Sequence, residues 1–256
     1  MMRYTQYKSR NQYVLFNQNV LNAFCDSIFT IKPERLTPVC SDEQGRGTVV
    51  FFEHEERELV LKRYHRGGLI GRFVSSTYFF RSLKKARMWQ EFELLAQMRD
   101  MGLPVPRPVA ARCTKTSPCT YQGEVIVERI CNAQTLAELL CNEALAEKTW
   151  EALGLVIRRF HQHQVDHADL NACNILINAT GQIYLIDFDK SHIRARHDHG
   201  WCQSNLSRLR RSLQKWKNRQ PTFHFEAKHW RALERGYQGA QVSPVRSTHA
   251  VPVASR

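Results

Sequence analysis

From Gly47 to Ile130 the apolar positions recur mainly at strand spacing. Thr48–Phe52 is a β-branched and aromatic run, and Leu59-Val60-Leu61 lies within a second run, Glu58–Arg63. The polar His54-Glu55-Glu56-Arg57 between them reads as a turn, so two antiparallel strands are expected. Lys84–Met101 switches to helical spacing, with Ala86, Phe92, Leu95 and Met98 three or four residues apart and Leu94 alongside. Gly102 ends that helix, and Pro104, Pro106 and Pro108 prevent its continuation. Val109–Arg112 and Glu124–Ile130 predict two further strands. Beyond a boundary near Cys131–Ala133 the pattern becomes helical, over Thr135–Leu140 and Ala144–His163. Cys173–Ile177 and Ile183–Ile186 are short apolar runs joined by Asn178-Ala179-Thr180-Gly181, a hairpin turn by composition. Asn205–Lys217 reads as a basic amphipathic helix with Leu206, Leu209, Leu213 and Trp216 on one stripe. Residues 11–40 give no clear pattern, and the Ser-, Pro- and Arg-containing tail reads as frayed.

The chemistry concentrates in His167-Ala168-Asp169-Leu170-Asn171-Ala172-Cys173-Asn174, which matches the kinase catalytic-loop pattern H-x-D-L-x-x-x-N. A tight loop at this spacing lets Asp169 face a substrate hydroxyl while Asn174 turns back toward a metal ion. A carboxylate can accept the hydroxyl proton during phosphoryl transfer, and an amide oxygen suits the hard Mg²⁺ ion. Thirteen residues after Asn174 stands Asp187-Phe188-Asp189, at the end of the run Ile183–Ile186. This is the place of the kinase D-F-G motif, with Asp189 where Gly is usual. Two motifs in the right order and strand context make ordinary turn carboxylates a poor explanation.

The first half supplies candidate partners. Lys62 follows Leu59-Val60-Leu61 as a phosphate-binding Lys follows a kinase strand, with Arg63 as the alternative register. Its carboxylate partner belongs on the Lys84–Met101 helix, where Glu91 and Glu93 are the candidates. Glu91 borders the apolar stripe, with Leu94, Leu95 and Met98 at i+3, i+4 and i+7, and is preferred. Gly45-Arg46-Gly47 is a reduced glycine-rich turn whose bare backbone suits phosphate contact, with a plain hairpin turn as the competing reading. Glu128 and Ile130, at the lobe boundary, are placed to offer backbone hydrogen bonds to adenine. The expected cofactors are ATP and Mg²⁺. The expected fold is α+β and bilobal, protein-kinase-like. Residues 1–131 would form an N-terminal extension and β-rich ATP-binding lobe, and 132–256 an α-rich catalytic lobe with a basic C-terminal helix.

Composition adds one constraint. The chain has 256 residues and a net charge of +13, which favours anionic partners without choosing among them. Arg63–Arg87 mixes basic residues with Leu69, Ile70, Phe73, Tyr78, Phe79 and Phe80, a composition suited to an anionic lipid interface or to an insertion packed on the first lobe. Arg208, Arg210, Arg211, Lys215 and Lys217 extend the basic theme. No stretch has the roughly 20 apolar residues needed to span a bilayer, and the polar N-terminus predicts retention in the cytoplasm. The eight cysteines lack C-x-x-C and zinc spacing; several, such as Cys131 and Cys173, lie within apolar runs, and the cysteines are expected to be small core residues in a reducing compartment. His161 and His163 are expected to be structural, and His167 to support the loop.

Several features restrict the acceptor. Asn171 stands where Ser/Thr protein kinases usually carry Lys, no A-P-E follows Asp187, and only 67 residues follow Asp189. Together these point to a small-molecule or glycolipid acceptor. Lys62-Arg63-Tyr64-His65-Arg66-Gly67-Gly68, Glu91-Phe92-Glu93-Leu94-Leu95, Gly102-Leu103-Pro104-Val105-Pro106-Arg107-Pro108, the catalytic loop and Asp187-Phe188-Asp189-Lys190 resemble the 3-deoxy-D-manno-octulosonic acid (Kdo) kinases of the lipopolysaccharide kinase family of Gram-negative bacteria. The resemblance runs from about Gly45 to the basic helix. It implies transfer of the ATP γ-phosphoryl group to the 4-hydroxyl of Kdo on a Kdo–lipid A precursor, by a protein lying peripherally on the cytoplasmic face of the inner membrane. It implies Asp169 as base, with Lys62, Glu91, Asn174 and Asp187 in the kinase roles. Arg66 and Arg72 are candidate contacts to the acceptor's carboxylate or phosphates. A heptose kinase of the same family and a RIO-like protein kinase, which Gly102–Pro106 also resembles, are the enzymatic alternatives. A basic nucleic-acid-binding module is the alternative from another class, but no nucleic-acid-binding motif supports it.

Overall fold

The computed structural model describes residues 3–21, 26–30, 36–38, 48–64, 77–196 and 198–239. Gly45, Gly47, Arg66, Arg72 and the C-terminal tail lie outside the described residues. The first half is built on strands β1 (Tyr4–Ser9), β2 (Gln12–Asn17), β3 (Leu36–Pro38), β4 (Thr48–His54), β5 (Arg57–Arg63), β6 (Tyr78–Phe79), β7 (Pro108–Ser117) and β8 (Thr120–Glu128), with helix α1 (Arg87–Asp100). The strands form one sheet in the order β1-β2-β7-β8-β5-β4-β3, with β6 on β8. All the pairings are antiparallel.

In the N-terminal hairpin β1–β2, strand β2 was hidden in the sequence for a physical reason. Val14 and Phe16 face one apolar cluster and Leu15 faces another, so β2 is covered on both sides. A strand buried on both faces shows a continuous apolar run and no period-two alternation. Helix α1 begins three residues later than its apolar spacing predicts, because Leu83–Lys85 form a separate 3₁₀ turn. No side chain caps its N-terminus. Packing therefore holds it: Met88, Phe92 and Met98 are wholly buried, at about 1.5–3 kcal/mol for each side chain.

The second half comprises β9 (Ala133–Thr135), α2 (Leu136–Asn142), α3 (Glu147–Gln162), β10 (Val165–Asp166), β11 (Ile175–Asn178), β12 (Ile183–Leu185), β13 (His192–Ile193), α4 (His199–Arg219) and α5 (Ala227–Gln238). Thr135 starts α2 with a capping box: its hydroxyl accepts the Glu138 N–H at 3.1 Å, and its own N–H donates to Glu138 Oε2 at 2.8 Å. Antiparallel β11 and β12 are joined by the expected turn, where Asn178 Oδ1 accepts the Gln182 N–H at 2.8 Å and Gly181 takes φ +79°. Helix α4 starts six residues before the stripe at Asn205, capped by Asp198, whose side chain accepts the Gly200 N–H.

Helix α5 was not anticipated, although Trp230, Leu233 and Tyr237 carry its spacing. It packs against α3 through two glycines. A Cβ on Gly236 would collide with the Glu151 carbonyl, and one on Gly154 with the Leu233 carbonyl. Gly→Ala gains up to about 1 kcal/mol of helix propensity. Backbone against backbone cannot yield cheaply, and overpacking typically costs about 1–3 kcal/mol or more. Gly236→Ala should therefore lower the unfolding temperature, by about 2–4 °C for each kcal/mol lost. An unchanged or raised midpoint in a thermal melt would contradict this packing.

Cys113, Cys173 and Cys202 are buried as expected, but Cys119 is exposed, and so is Cys131. It lies exposed where the chain leaves β8, with its thiol 2.7 Å from Glu58 Oε2. The apolar run that suggested a core position ends with the strand at Glu128.

Candidate active site

The loop between β10 and β11 carries Asp169. Its shape is set by neighbours on both sides. Asn171 caps the 3₁₀ turn Ala172–Asn174: its side-chain oxygen accepts the N–H groups of Cys173 and Asn174, at 2.9 and 3.1 Å. Its amide nitrogen reaches back to Asp169, donating to the backbone oxygen and to Oδ2, each at 3.2 Å. Asn174 donates through Nδ2 to the Asp169 backbone oxygen at 2.9 Å, so its amide oxygen faces the other way. Asp169 itself is exposed.

His167 supports the loop from below. Its Nε2 donates to the Ile186 carbonyl at 3.0 Å and its Nδ1 accepts the Asp169 N–H at 3.2 Å, which requires the neutral Nε2–H tautomer. Burial pushes its pKa below the ordinary histidine value, consistent with that form. Its ring packs on Phe188, at 4.6 Å between centroids. Asp166 ties the loop to the following elements, accepting from Arg194 at 2.6 and 2.9 Å and from Asn205 at 2.8 Å. Asn205 in turn accepts the His167 N–H at 3.1 Å. Burial alone would raise the Asp166 pKa, but Asn205 and Arg194 hold it below the usual carboxylate value.

Lys62 on β5 joins two carboxylates. Its Nζ lies 3.1 and 3.2 Å from the Glu91 oxygens and 2.5 Å from Asp187 Oδ1. Glu91 is buried, whereas Glu93 is partly exposed. Arg63, the alternative register, pairs with Glu124 at 3.1 Å and not with Glu91. Tyr64 donates its hydroxyl to Glu91, and burial pushes the phenol pKa well up, so the donor proton stays in place. Burial would lower the Lys62 pKa, but Asp187 and Glu91 together raise it. Burial would raise that of Asp187, but the Lys62 ammonium brings it below the usual value. Both groups are therefore charged at neutral pH. Asp187 takes φ +60°, an uncommon left-handed turn that brings its carboxylate to Lys62 while Phe188 packs into the core.

At the boundary between the halves, the Glu128 N–H is already bonded to the Arg107 carbonyl at 2.9 Å, and the Arg129 N–H to that of Glu58 at 2.9 Å. Among the described residues the Ile130 N–H has no backbone acceptor.

A Lys62–Glu91 pair joined to the Asp-Phe-Asp turn, with an H-x-D-L-x-x-x-N loop in the same chain, is the arrangement expected of a phosphotransferase. The sequence profile of the lipopolysaccharide kinase (Kdo/WaaP) family matches residues 34–237. This chain belongs to that family. It is 37% identical over 232 residues to the 3-deoxy-D-manno-octulosonic acid kinase of Photobacterium profundum, covering 89% of this chain and 95% of the relative. The kinases of the same name from Vibrio vulnificus and Mannheimia succiniciproducens are 39% and 38% identical, over 79% and 91% of this chain and 84% and 99% of theirs. A solved structure described as WaaP in complex with acyl carrier protein aligns with TM-score 0.51 at 14% identity, covering 80% of each chain, and supports the α+β kinase fold. The chain is thus a kinase, a phosphotransferase with a hydroxyl acceptor.

Several residues that shape this kinase's site escaped the sequence reading. Tyr64, Arg87, Asp166, Asn205 and Ser191 act through distant partners. Ser191, for example, accepts the Ala168 N–H at 3.0 Å. In the sequence Asn171 stands out only as a departure from Lys. Its use as the cap of the following turn was foreseeable from the Asn-x-x spacing alone. Among the described residues no cluster of three or more His, Cys, Asp and Glu side chains is placed to hold a metal. No described helix is long and apolar enough to cross a membrane.

Proposed function

We propose that this kinase transfers the γ-phosphoryl group of ATP to the 4-hydroxyl of Kdo on a Kdo–lipid A precursor, in lipopolysaccharide core biosynthesis. The observation that carries this reading is the match to Kdo kinases across most of both chains, together with the intact Lys62–Glu91–Asp187 and Asp169 constellation. Asp169 takes the proton from the Kdo hydroxyl as its oxygen bonds to phosphorus and the bond to the ADP oxygen breaks. The Asn171 amide occupies Oδ2 and leaves the other carboxylate oxygen for the substrate. Lys62, held by Glu91, meets the phosphates. Ile130 N–H supplies an adenine contact; a contact from Glu128 would use its carbonyl, because its N–H is engaged. Gly45 and Gly47 are proposed to approach the phosphates through their backbone. The Asn174 amide oxygen and the ionised Asp187 carboxylate fit a Mg²⁺ ion, which would neutralise phosphate charge. Phosphorus–proton correlation NMR of the product tests the position: coupling to the Kdo H4 is expected, and phosphate on another hydroxyl or sugar would reject it.

The acceptor lies in an anionic membrane, and we place the kinase on its cytoplasmic face. Phe79 is 62% exposed, next to exposed Arg81, Lys84 and Lys85. Arg210, Arg211 and Lys217 line the exposed side of α4. Each basic residue near an anionic surface contributes about 1 kcal/mol, and salt screens it. The protein should sediment with anionic vesicles at low salt and leave them at high salt. Retention through high-salt and alkaline washes would contradict peripheral attachment.

A further inference from the structure

Asp189, where regulated kinases carry a flexible glycine, is not a passive replacement. Its carboxylate pairs with the guanidinium of Arg87, with Nε 2.8 Å from Oδ1 and a second contact from the terminal nitrogen to Oδ2. Two parallel bonds of this kind fix geometry as well as charge. The pair is not a solvent-exposed bridge of negligible weight, since the side chains are only 26% and 19% exposed. The guanidinium is also held over the rings of Tyr78 and Tyr64, at 4.9 and 5.5 Å. The Arg87 N–H donates to the Tyr121 hydroxyl at 3.1 Å.

The position of Arg87 gives the pair its meaning. It is the first residue of α1, where a cation opposes the helix dipole and an acidic residue would be favoured. The first turn of α1 has no acidic residue of its own. Asp189 brings the missing negative charge from the second half of the chain. One helical turn further on, Glu91 faces Lys62, which also contacts Asp187. Two charge bridges therefore link the same two elements, each ending on a carboxylate of the turn. Glu91–Lys62–Asp187 runs through the group assigned to phosphate, and Arg87–Asp189 runs beside it without touching the cleft lysine.

We propose that Arg87 and Asp189 are positioning residues, a strap that fastens α1 to the Asp187–Asp189 turn and so keeps Glu91 and Lys62 set for phosphate without a separate activating step. The proposal rests on the assignment of Lys62 and Glu91 made above. A displacement of about 1 Å at such a site can cost about 100-fold in rate. Loss of the strap should therefore appear in the chemical step and in ATP use, while glycolipid affinity, assigned above to other basic residues, is unaffected.

The test is steady-state kinetics on the full chain with Kdo–lipid A, alongside thermal melts. Asp189→Asn keeps the shape and removes the charge. Arg87→Met keeps the length and removes the guanidinium. Each should lower kcat about 10–100-fold and raise the KM for ATP, with the KM for glycolipid unchanged. The exchange Arg87→Asp with Asp189→Arg should recover most of the loss, because contacting residues are not additive. A pair that only holds the fold would lower the melting temperature and leave kcat per folded molecule intact. That result, or an exchange no better than the single variants, would overturn the strap. Lys62→Met separates the two levels. If it keeps full transfer, the site assignment falls and the strap with it. If it is inactive while Asp189→Asn is fully active, the strap alone falls.

Discussion

Asp169→Asn should remove nearly all phosphoryl transfer while leaving ATP binding intact. Asn keeps an oxygen for the Asn171 amide, which now bonds to Oδ2 at 3.2 Å, so the loop keeps its support. The backbone oxygen of residue 169, which accepts from Asn174 and Asn171, is untouched. What disappears is the ability to accept a proton. General-base assistance is typically worth about 10²–10⁴-fold, and the loss should fall in that range. Nucleotide affinity, read by calorimetry or by displacement of a fluorescent analogue, should stay near wild type. A variant retaining more than half of wild-type turnover would remove Asp169 from its role.

The second large effect belongs to Asp187. Among the described residues it is the carboxylate of the second half that touches Lys62, at 2.5 Å. Asp187→Ala would take away the proposed anionic Mg²⁺ ligand and leave Asn174 with a neutral oxygen. Lewis-acid stabilisation by a bound metal is worth several kcal/mol, so a loss of about 10²-fold or more is expected at ordinary Mg²⁺ concentrations. Lys62 would keep Glu91, so the fold of the first half should survive. Unchanged Mg²⁺–ATP affinity and turnover would show that Asp187 is not a metal ligand.

How much of this was legible depended on how local the signal was. Asp169, Asn174 and Asp187 could be read because their spacing is dictated by one loop and one hairpin. Glu91 could be preferred to Glu93 because a helix converts sequence spacing into facing. The contacts that lock the site are not local: Arg87 and Asp189 lie 102 positions apart, and Lys62 and Asp187 lie 125 apart. No periodicity reports such a pairing. Strand β2 was invisible because burial on both faces erases alternation, and β1, largely exposed, has no buried face to report. Helix α5 carried a readable stripe, but Gly236, placed for close approach to α3, disguised it as a poor helix. Cys131 shows the opposite error, an apolar neighbourhood mistaken for burial.

The acceptor is the claim on which the rest converges. The direct measurement supplies labelled ATP with Kdo–lipid A, a heptosylated core acceptor and a generic protein substrate side by side. Fastest transfer to Kdo–lipid A, lost in Asp169→Asn, is the predicted result. Faster phosphorylation of the heptose or of the protein would contradict the Kdo assignment.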